Sequence, residues 1–189
     1  MSKDAGLKQQ KSFILYCTLA GFISAWAISG MLAIIDYASG TPAGTFFAVI
    51  GYSLGFYDFS TAQAIGFGLH LLTGLVAGNI FGQVAMFWPR LSPIKATRGV
   101  MAGIVVGIAL WAVLFLPLAV FGIQSRLDTF SVSAPNQTVS LIASHFQGLQ
   151  YLIIGGSFLF HLAYGALMGL IAGMLYEVRQ KRNERMMEK

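Results

Sequence analysis

The sequence GFGLHLLTGLVAGNIFG, residues 66–82, decides the fold, and SFLFHLAYGALMGLIAG, residues 157–173, repeats its pattern. Each copy has one histidine and otherwise a small residue at every fourth position: Gly66, His70, Gly74, Gly78, Gly82 and Ser157, His161, Gly165, Gly169, Gly173. Residues four apart share one face of an α-helix, so each row forms a groove that a second backbone can approach closely. The sequence therefore predicts two helical hairpins, about 12–88 and 96–177, as parallel repeats of one unit.

The composition of the chain indicates whether it is surrounded by water or by lipid. Of 189 residues, 56% are hydrophobic and only 10% are charged, whereas soluble domains average about 25% charged residues. Several apolar runs exceed the roughly 20 residues that cross a bilayer core. We therefore predict a single all-α membrane domain in contact with the lipid bilayer, with four transmembrane helices at about 13–35, 61–88, 96–122 and 149–176.

The segments between these runs differ in character. Residues 36–60 are rich in aromatic side chains, and Thr41-Pro42 resembles a helix N-cap followed by proline. These features predict a short interfacial helix from Ala43 to Leu54, with Asp58 or Ser60 capping the second span. Residues 123–148 are predicted to be a polar loop on the same, outer side.

Orientation follows from the basic residues. Eleven of the twelve Lys and Arg residues lie in the N-terminal segment, in the turn at residues 90–98 where the second span gives way to the third, or after the fourth span. Because Lys and Arg are enriched in cytoplasmic loops, both termini are predicted to be cytoplasmic in a multi-pass protein of the cell membrane. The same placement explains the net charge of +5 without nucleic-acid binding, which we do not expect.

Glycines at helical spacing are candidates for helix packing. The third run carries Gly99-x3-Gly103-x3-Gly107, which matches the spacing of the two long rows. The full packing set is Gly66, Gly74, Gly78, Gly82, Gly99, Gly103, Gly107, Gly165, Gly169 and Gly173. A second i, i+4 row, Asn79 and Gln83, favours an interhelical hydrogen bond over a pore lining.

Two histidines within apolar runs are the first candidates for chemistry. His70 and His161 lie at similar predicted depth, and ionisable groups within membranes are functional hypotheses by default. Together with His145, Asp36 and Asp58 they define a candidate polar, metal or proton site on the outer side. Three roles stay open: structural hydrogen bonding, which we favour, a transport or proton role, and a metal site.

No pattern of residues indicates catalysis. The glycines recur at helical period inside apolar runs, so they form neither a phosphate loop nor a dinucleotide fingerprint. We predict a non-enzymatic chain with no cofactor, and a metal ion at the histidines is the least favoured alternative.

From His70 to Arg179 the order of landmarks resembles the YagU-like family of small inner-membrane proteins. These landmarks are the His70 helix, Phe87-Trp88-Pro89-Arg90, the Gly99 and Gly103 helix, Pro117 with Gly122, and the His161 helix ending in Glu177-x-Arg179. The aromatic segment before Asp58 departs from that family. In size and span count the chain also resembles the small accessory subunits of membrane monooxygenases, such as archaeal ammonia monooxygenase. The first resemblance implies the four-span topology, and the second implies an accessory role.

Taken together, these features favour a non-catalytic, helix-packing subunit of a membrane complex or a homo-oligomer. The alternatives are a small-solute or ion transporter or channel that uses His70 and His161, and a metal-binding membrane protein. The sequence identifies neither a substrate nor a partner.

Overall fold

A computed structural model describes the backbone of residues 3–88 and 96–187, and the side chains of residues 11–88, 96–182, 185 and 186. Those residues form helices and turns, without strands. The α-helices are α1 (Lys3–Ala38), α2 (Thr45–Ser53), α3 (Phe59–Phe87), α4 (Ala96–Leu110), α5 (Gln124–Val132), α6 (Gln137–Gly148) and α7 (Gln150–Met187). Between α4 and α5 lie two π-helical stretches, π1 (Trp111–Phe115) and π2 (Leu118–Ile123).

Four helical segments are long and apolar enough to cross a membrane: Lys11–Ala38, Phe59–Phe87, Ala96–Val132 and Gln150–Arg182. The all-α fold and the four candidate spans of the prediction are confirmed, and the chain is a multi-pass membrane protein. The third segment extends to Val132 rather than ending near residue 122, because the helix continues through π1, π2 and α5.

Proline explains the irregular middle of that third segment. Pro117 has no N–H to donate to the preceding turn, and it separates π1 from π2 while its own backbone stays helical. The wider π turns around it keep the chain helical at a residue that would kink or break a regular α-helix. Trp111 in π1 donates from Nε1 to Oγ of Ser157 in α7 at 3.0 Å.

The prediction of a polar loop over residues 123–148 is wrong, because this segment folds as α5 and α6. Asn136 begins α6, and its Oδ1 accepts a hydrogen bond from the Val139 amide at 2.9 Å. Four apolar residues follow at positions i, i+3, i+4 and i+7 and are buried: Val139, Ile142, Ala143 and Phe146. The segment therefore has an apolar helix face, which its average polarity hides.

The chain divides into two compact units. The terminal unit comprises Met1–Ala25, Thr73–Ile108 and His161–Lys189, and the loop unit comprises Trp26–Leu72 and Ala109–Phe160. The loop unit has a hydrophobic core to which α2, α3, α5 and α6 contribute. Its buried members are Ala48, Val49, Tyr52, Ala62, Leu127, Phe130, Val139, Ile142, Ala143 and Phe146.

The terminal unit is held by direct backbone approach at small residues. A Cβ added at Gly78 in α3 would fall on the carbonyl oxygen of Cys17 in α1, and one added at Gly21 would fall on that of Gly74. The thiol of Cys17 is fully buried at this crossing. The helix α1 therefore contacts α3 through the face that carries Cys17, Gly21 and Ala25, small residues four positions apart.

The second crossing of the terminal unit joins α4 and α7. A Cβ added at Gly165 would meet the carbonyl oxygen of Gly103, and one added at Gly169 would meet that of Gly99. At Gly107 the added atom would meet the carbonyl oxygen of His161. Only glycine permits this separation, since every obstacle is backbone that no side-chain rotation can remove.

Candidate functional site

Asp36 forms the corner between α1 and α2. Its carboxylate is fully buried, and Oδ2 accepts a hydrogen bond from the Gly44 amide at 2.7 Å. Gly44 has a φ of +91°, a conformation that glycine adopts without strain. The helix α2 thus begins at Thr45, within the predicted range but without the predicted cap. Thr41 instead donates from its hydroxyl to the Asp36 carbonyl at 3.0 Å.

The other carboxylate of the candidate set, Asp58, caps α3 as predicted. Its Oδ2 accepts from the backbone amide of Thr61 at 2.9 Å and from the Thr61 hydroxyl at 2.8 Å. These hydrogen bonds stabilise the charged form and lower the pKa of Asp58 below its ordinary value. Both carboxyl groups therefore act at helix starts, and the negative charge of Asp58 also complements the helix dipole.

His70 lies on α3 inside the loop unit. Its ring is half-buried and packs against Phe47 of α2, with 5.4 Å between ring centroids. One turn earlier, a Cβ added at Gly66 would meet the Phe47 carbonyl oxygen. The small residue before His70 therefore admits α2 to the α3 surface, and Phe47 then covers the imidazole.

The remaining histidines lie in different surroundings. His161 is a half-buried residue of the terminal unit, whose carbonyl oxygen faces Gly107, and His145 lies half-buried in the last turn of α6. In the described part of the chain, no three His, Cys, Asp or Glu side chains are grouped as metal ligands. The described geometry thus assigns helix-capping contacts to the two carboxylates and a packing contact to His70.

A lateral groove of about 460 Å³ opens on the loop unit. One wall is a face of α1 at i, i+3, i+4 and i+7, and the other is a face of α3 with the same spacing. The N-terminal part of α2 and the two residues before it close the groove. The lining residues are Trp26, Ser29, Gly30 and Ala33 of α1, Ala43, Gly44 and Phe47, and Ser60, Gln63, Ala64 and Phe67 of α3.

Aromatic contacts fix the shape of this groove. Phe67 packs edge-on against Trp26 with centroids 5.5 Å apart, and against Phe47 with centroids 5.3 Å apart. Gln63 donates from Nε2 to the carbonyl oxygen of Ala43 at 3.2 Å, joining α3 to the segment before α2. The groove is therefore preformed, apolar along most of its length and bordered by small residues.

The glycines of the chain differ in whether another helix lies against them. In the terminal unit, Gly21, Gly78, Gly103 and Gly165 all lie against the backbone of a neighbouring helix. In the loop unit, a Cβ added to some glycines would meet nothing within 4 Å: Gly30, Gly68, Gly155 and Gly156 are of this kind within candidate spans. Contacts inside the chain explain the first group but not the second.

Side-chain hydrogen bonds link the helices of the terminal unit. One of those described below was predicted from the sequence, and two were not. Asn79 donates from Nδ2 to Oγ1 of Thr18 in α1 at 3.1 Å, which confirms the interhelical hydrogen bond. Tyr164 of α7 donates from its buried hydroxyl to the Gly74 carbonyl at 2.9 Å. Glu177 accepts from the amide of Ala96, the first residue of α4, at 2.8 Å. The sequence places Tyr164 next to the glycine row of α7, but no spacing in it identifies Gly74 as the acceptor.

The hydroxyl of Tyr52 lies in the loop-unit core. It is buried and has no hydrogen-bond partner in the described part of the chain. Burial, with a smaller contribution from the charge of Asp58, raises the pKa of Tyr52. The side chain therefore stays neutral and serves as part of the apolar core.

Comparison with protein-family models, with curated proteins and with solved structures gives no match to this chain. The resemblances drawn from the sequence landmarks therefore stay predictions, and function is argued from the geometry alone.

Proposed function

We propose that this chain is a non-catalytic, helix-packing subunit of a membrane complex, and that the groove of its loop unit receives an apolar transmembrane helix of a partner protein. The observation that carries the proposal is Gly30. It lies in a candidate span, lines the groove and has open space where a side chain would be. Glycine costs a helix about 1 kcal/mol relative to alanine, so an unfilled glycine that lines a groove between two helices favours a contact made there by another molecule.

The walls of the groove suit a helix as its occupant. Both walls expose residues at positions i, i+3, i+4 and i+7 of a helix. An apolar helix that docks in the groove would contact them through residues with the same spacing. In lipid, helices associate through close packing and hydrogen bonds rather than through the hydrophobic effect, so small residues beside a groove favour association. Ser60 and Gln63 add polar groups at the edge.

The test fills the groove without disturbing the fold. Gly30→Leu and Ala64→Leu place side chains on opposite walls, and Gly155→Leu is the matched control because it also projects into open space, outside the groove residues. Each protein is purified in a gentle detergent from the membranes of its producing organism, and co-purifying proteins are quantified by mass spectrometry.

We expect a stoichiometric partner with the parent chain and with Gly155→Leu, and at least a tenfold loss of it with the groove variants, about 1.4 kcal/mol. Equal recovery from all variants would contradict the groove assignment. A homo-oligomer without other proteins, disrupted by the same variants, would assign the groove to a second copy. A monomer without partners would contradict the accessory role and favour the transport alternative.

We further propose that the two hairpins are copies of one unit. Equivalent contacts support this: Gly74 meets Gly21 as Gly165 meets Gly103, and Gly78 meets Cys17 as Gly169 meets Gly99. Gly21 and Gly103 lie outside the two rows, 66–82 and 157–173, from which the sequence predicts the repeat. Exchanging residues 66–82 for 157–173 tests this, and a copy unable to replace the other in a folded protein would count against it.

For topology we propose cytoplasmic termini in the cell membrane, supported by the clustering of eleven of twelve basic residues. Fusions of a reporter enzyme active only outside the cytoplasm test it. Activity is expected after Ser133, between α5 and α6, and not after Lys11. The reverse pattern would overturn the orientation.

A further inference from the structure

The C-terminal part of α7 has one cationic face. Val178, Lys181, Arg182, Arg185 and Met186 follow the spacing i, i+3, i+4, i+7 and i+8, so they share one side of the helix. They line a concave surface of about 410 Å³ in the terminal unit. The candidate span ends at Arg182, whereas α7 continues to Met187, so the face lies where the helix leaves the apolar run.

Two charged neighbours of this face, Glu177 and Arg179, contact other helices. The guanidinium of Arg179 lies over the ring of Tyr16 in α1, 5.6 Å from its centroid. Glu177 accepts the amide hydrogen bond of Ala96 at the start of α4. Among the described residues that line the concave surface, three are cations and none is a carboxylate. The face therefore attracts anions.

We propose that this face binds the headgroup of an anionic glycerophospholipid. Lys181, Arg182 and Arg185 would donate hydrogen bonds to the phosphate and other headgroup oxygens. Val178, which is 67% exposed and lies inside the candidate span, would contact the glycerol and upper acyl region of the same lipid. This apolar residue, next to the three cations at the end of a membrane span, favours a lipid over a soluble phosphate compound.

The experiment uses the full-length protein in detergent, titrated with phosphatidylglycerol or with phosphatidylcholine, and counts bound lipids by native mass spectrometry. The variant is Lys181→Gln/Arg182→Gln/Arg185→Gln. Arg126→Gln, which removes an exposed cation of α5 in the loop unit, is the matched control. A surface cation contributes about fivefold to the affinity for anionic lipid. We therefore expect at least tenfold weaker phosphatidylglycerol binding by the triple variant and unchanged binding by the control.

Several results would overturn the proposal. The triple variant could bind phosphatidylglycerol as the parent chain does, or the parent could bind both lipids equally. Inorganic phosphate at millimolar concentration could displace the lipid completely, which would indicate a general anion site. If the triple variant fails to fold, as judged by circular dichroism, Arg185→Gln alone is used, since Arg185 lies beyond the candidate span. Its expected effect is about fivefold, and no effect would refute the assignment.

Discussion

Replacing Gly165 by alanine tests the closest helix contact of the terminal unit. The new Cβ would fall on the carbonyl oxygen of Gly103, so α4 and α7 must separate to admit one methyl group. Gly155 lies ten residues earlier in the same helix, and a Cβ there meets nothing within 4 Å. The two substitutions are identical in chemistry and differ only in their surroundings.

The magnitude follows from that comparison. Both variants gain the helix propensity of alanine over glycine, about 1 kcal/mol, so this contribution cancels between them. The difference in the free energy of unfolding then equals the cost of overpacking, about 1–3 kcal/mol. We expect the upper half of this range at Gly165, because the obstacle is backbone rather than a flexible side chain.

Reversible unfolding in mixed micelles, followed by circular dichroism as the fraction of denaturing detergent rises, measures this difference. Gly155→Ala should unfold at or above the midpoint of the parent chain, and Gly165→Ala clearly below it. If the free energies of the two variants agree within about 0.5 kcal/mol, which is the usual limit for surface substitutions, the backbone contact between Gly165 and Gly103 is refuted.

Two further predictions concern polar groups. Tyr164→Phe removes the hydrogen bond to Gly74 and should lower the free energy of unfolding by about 0.5–1.5 kcal/mol in the same assay, and an unchanged value would contradict that bond. For Asp58, the pKa is lowered in the folded chain, so its contribution to stability is present above the ordinary pKa of about 3.8 and is lost as the pH falls through the lower folded value. Amide protection in the first turn of α3 should therefore decrease on acidification in the parent chain but not in Asp58→Asn, and parallel profiles would exclude the cap.

The four spans were predictable because small residues at period four and long apolar runs are local signals. The positions of Gly74 and Gly165 on inward faces follow from the same period. The capping role of Asp58 was also predictable, since an acidic residue directly before a helix commonly accepts hydrogen bonds from its first turn. For these features the sequence neighbours alone carry the information.

The errors arise where local averages mislead or where distant contacts decide. The segment around Asn136 reads as a loop from its polarity, although the spacing from Val139 to Phe146 was a readable helix signal. That Tyr164 donates to Gly74, ninety residues away in sequence, depends on how α3 and α7 are positioned, and no residue spacing encodes it. The N-cap of α2 is Gly44 rather than the predicted Thr41, because the buried side chain of Asp36 in the preceding helix accepts the hydrogen bond of the Gly44 amide.

Burial of Cys17 has a practical consequence for spectroscopy. It is the only cysteine in the sequence, and its thiol is buried where α1 contacts α3. Thiol-reactive dyes and spin labels can therefore be attached to cysteines engineered at exposed positions without first removing it. Modification of Cys17 itself then reports how often thermal fluctuations part these two helices, and its rate can be followed in intact membranes.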